Sequence, residues 1–90
     1  MTLITLTTDF GLADSYVAIM KGVILGIAPQ ARIIDITHDI APQNVRQAAI
    51  VLQAAAPYFP PQTIHVAVVD PGVGSARLPL AVRTPQAIFI

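Results

Sequence analysis

Three short runs of apolar and β-branched residues dominate this chain: Leu3 to Thr8, Arg32 to Thr37 and Thr63 to Val69. Each is of strand length, and two stretches with helical spacing separate them. The first, from Tyr16, puts Ile19, Met20, Val23, Ile24 and Ile27 at helical intervals and should stop near Ala28, because Pro29 follows. The second carries Val45, Ala48, Ala49, Leu52 and Ala56, with Pro42 expected in its first turn and Pro57 ending it. Strand, helix, strand, helix, strand is the order of a parallel sheet with right-handed crossovers. Leu80 to Arg83 and a run beginning at Ala87 read as a terminal β-hairpin. The expected class is α/β, a Rossmann-like β-α-β-α-β sheet followed by that hairpin, forming one amino-terminal domain over residues 1–90.

Composition narrows the function classes. Only 11% of the residues are charged, against about 25% in an ordinary domain. A domain this small needs polar groups to cover its surface. We therefore expect partner surfaces, or a fragment of a longer chain whose carboxy-terminal domain is absent. Formal net charge is zero and no basic run tracks phosphates, which argues against nucleic acid. Cysteine is absent, so disulfides and thiolate metal sites are excluded. No apolar run reaches the roughly 20 residues of a membrane span, and the start lacks the basic residues of a signal peptide. A soluble cytoplasmic protein is expected.

All five acids are aspartate: Asp9, Asp14, Asp35, Asp39 and Asp70. Aspartate suits caps, turns and strand ends. Asp9, the His38-Asp39 pair and Asp70 each follow a strand, so the topology brings them to the edge where open α/β sheets bind ligands. After Asp70 comes Pro71-Gly72-Val73-Gly74-Ser75-Ala76-Arg77, a turn rich in glycine with a guanidinium that can swing back towards the carboxylate. Three acidic loops with no basic cluster favour a ligand bearing hydroxyls or positive charge. Neither G-x-x-x-x-G-K nor G-x-G-x-x-G is present. Alternatives stay open at each residue: an Asx-turn for Asp9, a plain helix cap for Asp14, a turn acid for Asp70 and a surface ion pair for Arg77. His38-Asp39 reads as a capped loop rather than a metal or acid-base pair, and no metal site is assigned. His65 reads as a satisfied core or edge histidine, and Lys21 as a snorkelling residue at solvent or a subunit boundary.

The chain resembles the amino-terminal domain of the S-adenosyl-L-methionine hydroxide adenosyltransferases, or S-adenosylmethionine hydrolases, relatives of the fluorinases and chlorinases. The resemblance rests on separated motifs in family order: Thr8-Asp9-Phe10-Gly11-Leu12 with Asp14 and Tyr16-Val17, Met20-Lys21-Gly22, Ile34-Asp35-Ile36-Thr37-His38, Pro57-Tyr58-Phe59-Pro60, and Val68-Val69-Asp70-Pro71-Gly72-Val73-Gly74-Ser75 with Arg77. It implies hydrolysis of S-adenosylmethionine to adenosine and L-methionine, by water or hydroxide attack at ribose C5′, with the substrate itself and no further cofactor. Asp70 and Arg77 match two members of the Asp-Arg-His set associated with activating the water. The matching histidine lies beyond this chain, and neither His38 nor His65 corresponds to it. Asp9 matches the acid that holds the ribose hydroxyls, and Asp70 also borders the substrate. Asp14, Ser15 and Tyr16 match the stretch near the methionine end. An acid at position 70, where fluorinases carry an aromatic residue, favours water over halide. Family members are much longer and are homotrimers with the nucleoside held between domains of adjacent subunits, so this chain is expected to carry half a site and to be inactive alone. Two other classes stay open: a phosphohydrolase with Asp9 as nucleophile, and a non-catalytic adenosine-binding or oligomerisation module.

Overall fold

The computed structural model describes residues 2–69, 82–83 and 87–89. Strands β1 (Leu3–Thr8), β2 (Arg32–Thr37) and β3 (Thr63–Val68) alternate with helices α1 (Tyr16–Ile27) and α2 (Val45–Ala55), and β4 (Val82–Arg83) and β5 (Ala87–Phe89) follow. The sheet order is β2-β1-β3-β5-β4. β1 pairs in parallel with β2 and with β3, and β4 pairs antiparallel with β5, giving the expected hairpin. The hairpin joins the sheet through a parallel pairing of β5 with β3, a connection not expected from the sequence. Because β2 and β3 flank β1 on opposite sides, right-handed crossovers send α1 and α2 to opposite faces of the sheet.

β1 is the centre of the described structure. Ile4 through Thr8 are all buried, and Leu6 has no exposed surface. On the α2 side Ile40, Ala48 and Val69 form a buried cluster, with Val51 packed against it. Three threonines, Thr5, Thr7 and Thr8, are buried in the same strand. Thr5 Oγ1 lies 2.6 Å from His65 Nδ1, so of the core or edge histidine expected at 65 the core placement is the one found, and the Phe59 ring stands edge-on to it at 5.7 Å. Thr7 Oγ1 is buried with no hydrogen-bond partner among the described residues.

The strand and helix bounds show where local signals hold. β1 and β2 fall where expected, and β3 ends one residue early, at Val68. α2 begins at Val45 rather than around Pro42, because Asn44 caps it, its side chain accepting from Gln47 N at 2.9 Å. Residues 41–44 instead form a turn, closed by Asn44 N donating to Ala41 O at 2.9 Å. In α1 the apolar residues run all the way round. Val17 is buried and Met20 and Ile24 are half-buried, whereas Tyr16, Ile19, Val23 and Ile27 stand exposed. No helix among the described residues is long and apolar enough to cross a membrane.

Candidate functional site

The register of the parallel strands fixes where the loops emerge. Thr7 lies opposite Thr37, and Thr8 lies opposite Val68. The chain therefore leaves β1, β2 and β3 at one edge, the carboxyl edge of the sheet. The β1–α1 and β2–α2 loops are laced together there by backbone bonds. Gly11 N donates to His38 O at 2.7 Å, and Ile40 N donates to Thr8 O at 3.3 Å. Gly11 has φ of 71°, a conformation that glycine adopts without strain.

Asp9 sits in the middle of this lacing, half-buried. Its Oδ2 accepts from Gln43 N at 2.8 Å. Gln43 is held at φ of 62°, a left-handed conformation that side chains disfavour. Asp9 is thus tied across to the second loop rather than forming a local Asx-turn. One carboxylate oxygen is fixed in place, and lone pairs remain on both oxygens for a ligand.

Asp14, Ser15 and Tyr16 are exposed at the start of α1. Asp14 Oδ1 accepts from Tyr16 N at 3.0 Å, while Ser15, in the cap position, makes no side-chain cap bond. The Tyr16 ring tilts against Phe10 with centroids 6.2 Å apart, which brings the methionine-end candidates beside the Asp9 loop. Asp70 and Arg77 lie outside the described residues.

A polar network that the sequence reading missed runs beneath this loop. Thr8 Oγ1 is 2.7 Å from His38 Nδ1, and His38 Nε2 is 2.9 Å from Asp35 Oδ1. Lys21 Nζ donates to Asp35 Oδ2 at 2.7 Å. Lys21 therefore does not simply snorkel: it crosses from α1 to β2 to pair with an acid. Partial burial alone would raise the Asp35 carboxyl, but the hydrogen bonds from Lys21 and His38 and the Lys21 charge outweigh it and hold it below its ordinary value of 3.8. His38 is buried and its acid is Asp35, whereas Asp39 is exposed and its backbone N donates to Thr37 Oγ1 at 3.0 Å. The adjacent His38-Asp39 pair is thus not a functional pair. No grouping of three or more potential metal ligands occurs among the described residues. The available clue was a pair of misplaced charges of opposite sign, Asp35 in an apolar strand and Lys21 in an apolar helix.

Residues 4–90 match the SAM hydroxide adenosyltransferase N-terminal domain family. The chain belongs to that family. It is 48% identical over 87 residues to an (R)-S-adenosyl-L-methionine hydrolase of Salinispora arenicola, covering 97% of this chain and 33% of the relative. It is also 48% identical to an (R)-S-adenosyl-L-methionine hydrolase of Methanocaldococcus jannaschii, covering 100% of this chain and 35% of the relative. A crystal structure of an uncharacterized conserved protein from Thermotoga maritima superposes with a TM-score of 0.92 at 46% identity, covering 96% of this chain and 34% of that one. The α/β fold is therefore that of its structural neighbour, and the chain spans about a third of the length of the relatives it matches.

Proposed function

We propose that this chain supplies the amino-terminal part of an S-adenosyl-L-methionine hydrolase. The reaction is displacement at ribose C5′. Water forms the C5′–O bond, the C5′–S bond breaks, and the sulfonium leaves as the neutral thioether of L-methionine. Adenosine and a proton complete the balance. The sulfonium is already an activated leaving group, so the protein's task is to position the ribose and the water and to accept the proton. This reading calls for no cofactor beyond the substrate.

The observation that carries the reading is the Asp9 carboxylate, tied at one oxygen to Gln43 N at 2.8 Å and set at the carboxyl edge of the sheet. A carboxylate held this way can accept both hydroxyls of a ribose diol, and so orient C5′. Asp14, Ser15 and Tyr16, exposed at the adjacent helix start, suit the ammonium and sulfonium end. Asp70 follows β3 in sequence, and with Arg77 it takes the water-activating role, bordering the ribose as well. A carboxylate there would repel a halide ion, which favours water. The exposed apolar face of α1 supports assembly with further protein surface, and we assign the working enzyme to a cytoplasmic homotrimer acting on neither nucleic acid nor membrane.

The test is made on the full-length protein, by assaying adenosine and methionine release from S-adenosylmethionine in isotopically labelled water. The label should appear in the 5′-hydroxyl of adenosine. Asp70→Ala should abolish release while leaving the melting curve unchanged. Undiminished turnover in that variant would remove Asp70 from the chemistry, and no release by the wild type would remove the hydrolase reading itself.

A further inference from the structure

We propose that Lys21, Asp35, His38 and Thr8 form a positioning relay that fixes the Asp9-Phe10-Gly11 loop, and through it the ribose-binding carboxylate. The inference rests on the ribose role of Asp9 proposed above. Its basis is the polarity of the hydrogen bonds. Phe10 N donates to Thr8 Oγ1 at 3.2 Å. That leaves the Thr8 hydroxyl hydrogen free to donate to His38 Nδ1 at 2.7 Å. With Nδ1 accepting, the ring hydrogen sits on Nε2, where it donates to Asp35 Oδ1 at 2.9 Å. Lys21 then donates to the other oxygen of Asp35 at 2.7 Å. Every partner has one role in this sequence, and the chain of bonds joins α1, β2 and β1 to the residue after Asp9.

His38 also grips the loop from its far side, since its backbone oxygen accepts from Gly11 N at 2.7 Å. One residue thus anchors the chain immediately before and after Asp9 and Phe10. Thr8 is fully buried and His38 is 3% exposed, so neither can reach a ligand at the edge. The set resembles a nucleophile, base and acid in composition, yet burial of the hydroxyl rules out attack on a substrate. These are positioning residues, not catalytic ones. A hydrophobic replacement of His38 would fill the space but would leave the buried Thr8 hydroxyl hydrogen without an acceptor and the loop without this tether.

The experiment compares Thr8→Val, which keeps the shape and removes the hydroxyl, with Thr8→Ser, which restores it, in the full-length protein. Adenosine affinity is read by calorimetry, the His38 tautomer by long-range nitrogen–proton spectra, and the Phe10 amide by hydrogen exchange. Wild type should show the Nε2–H tautomer. Thr8→Val should speed exchange at Phe10 and weaken adenosine binding roughly tenfold, the equivalent of one modest hydrogen bond, while Thr8→Ser should recover both. His38 carrying its hydrogen on Nδ1, or a folded Thr8→Val that binds adenosine as wild type does, overturns the relay. Failure of the functional reading has a different signature: wild type itself takes up no adenosine, and the tautomer and Phe10 exchange then decide whether the relay holds the loop.

Discussion

Removing the Asp9 carboxylate should separate two quantities, stability and affinity. In Asp9→Ala the Gln43 amide loses its acceptor, a bond of 2.8 Å in an exposed setting. Its net worth to folding is about 1 kcal/mol. That bond also offsets the strain of Gln43 at φ of 62°, a conformation that disfavours side chains by roughly 1–2 kcal/mol. Gln43→Gly in the Asp9→Ala background should therefore return about 1 kcal/mol of stability, because glycine carries no such penalty. Affinity behaves differently. Two ribose hydroxyls donating to one carboxylate, each taken at the low end for a charged acceptor because Asp9 is only half-buried, are together worth about 3 kcal/mol. Asp9→Ala should then weaken adenosine binding roughly 150-fold. Denaturant unfolding reads the first quantity and calorimetry the second, on the same variants. If Asp9→Ala binds adenosine within about threefold of wild type, the ribose role of Asp9 is refuted. If Gln43→Gly restores the affinity as well as the stability, the carboxylate acts only through the loop.

Two further outcomes follow from the buried polar groups. Thr7 Oγ1 is buried without a partner among the described residues, so Thr7→Val, which keeps the shape and removes the hydroxyl, should raise unfolding stability by about 1 kcal/mol. A lower denaturation midpoint in that variant would show that the hydroxyl is satisfied in solution. Burial pushes the His65 imidazole below its ordinary 6.5, and the Lys21 ion pair and the His38 hydrogen bond hold Asp35 below its ordinary 3.8. For both groups the unfolded chain binds the proton more readily, so their contribution is complete above those values and is lost as pH falls past them. Unfolding free energy should decline as pH falls below the ordinary imidazole value of 6.5 through His65. The decline should flatten in His65→Asn, whose amide can still bond Thr5. An unchanged slope in that variant would clear His65 of the effect.

The parts of this molecule governed by near neighbours in sequence were legible from the residues. β1 and β2 were delimited by β-branched runs and by the glycine and proline beyond them, and the right-handed β-α-β order placed Asp9 and the residues after Thr37 at a common edge. Asparagine 44 overrode the proline rule at α2, because a side-chain cap supplies a bond to a helical amide and Pro42 supplies only a suitable φ. The stripe expected on α1 proved to be apolar on every side, so periodicity could not tell its sheet face from its exposed one. The relay lay furthest from view. Lys21 and Asp35 are 14 residues apart, and Thr8 and His38 are 30 apart, distances over which no spacing rule operates and only the folded register brings partners together. Asp70 and Arg77 were named from the sequence and lie outside the described residues.

The ion pair between α1 and β2 has a second effect, on association between molecules. Among the described strands β2 is one of the two outer ones, with a row of backbone groups unmatched on one side and three isoleucines along its length. Such a border invites a foreign strand to add to it. Asp35 stands midway along it, with Lys21 drawn across from the helix, so an incoming strand must strip water from two opposite charges before its amides can align. The contact proposed to steady the Asp9 loop from within would thereby also act as a gatekeeper against fibrous self-assembly at the sheet's border.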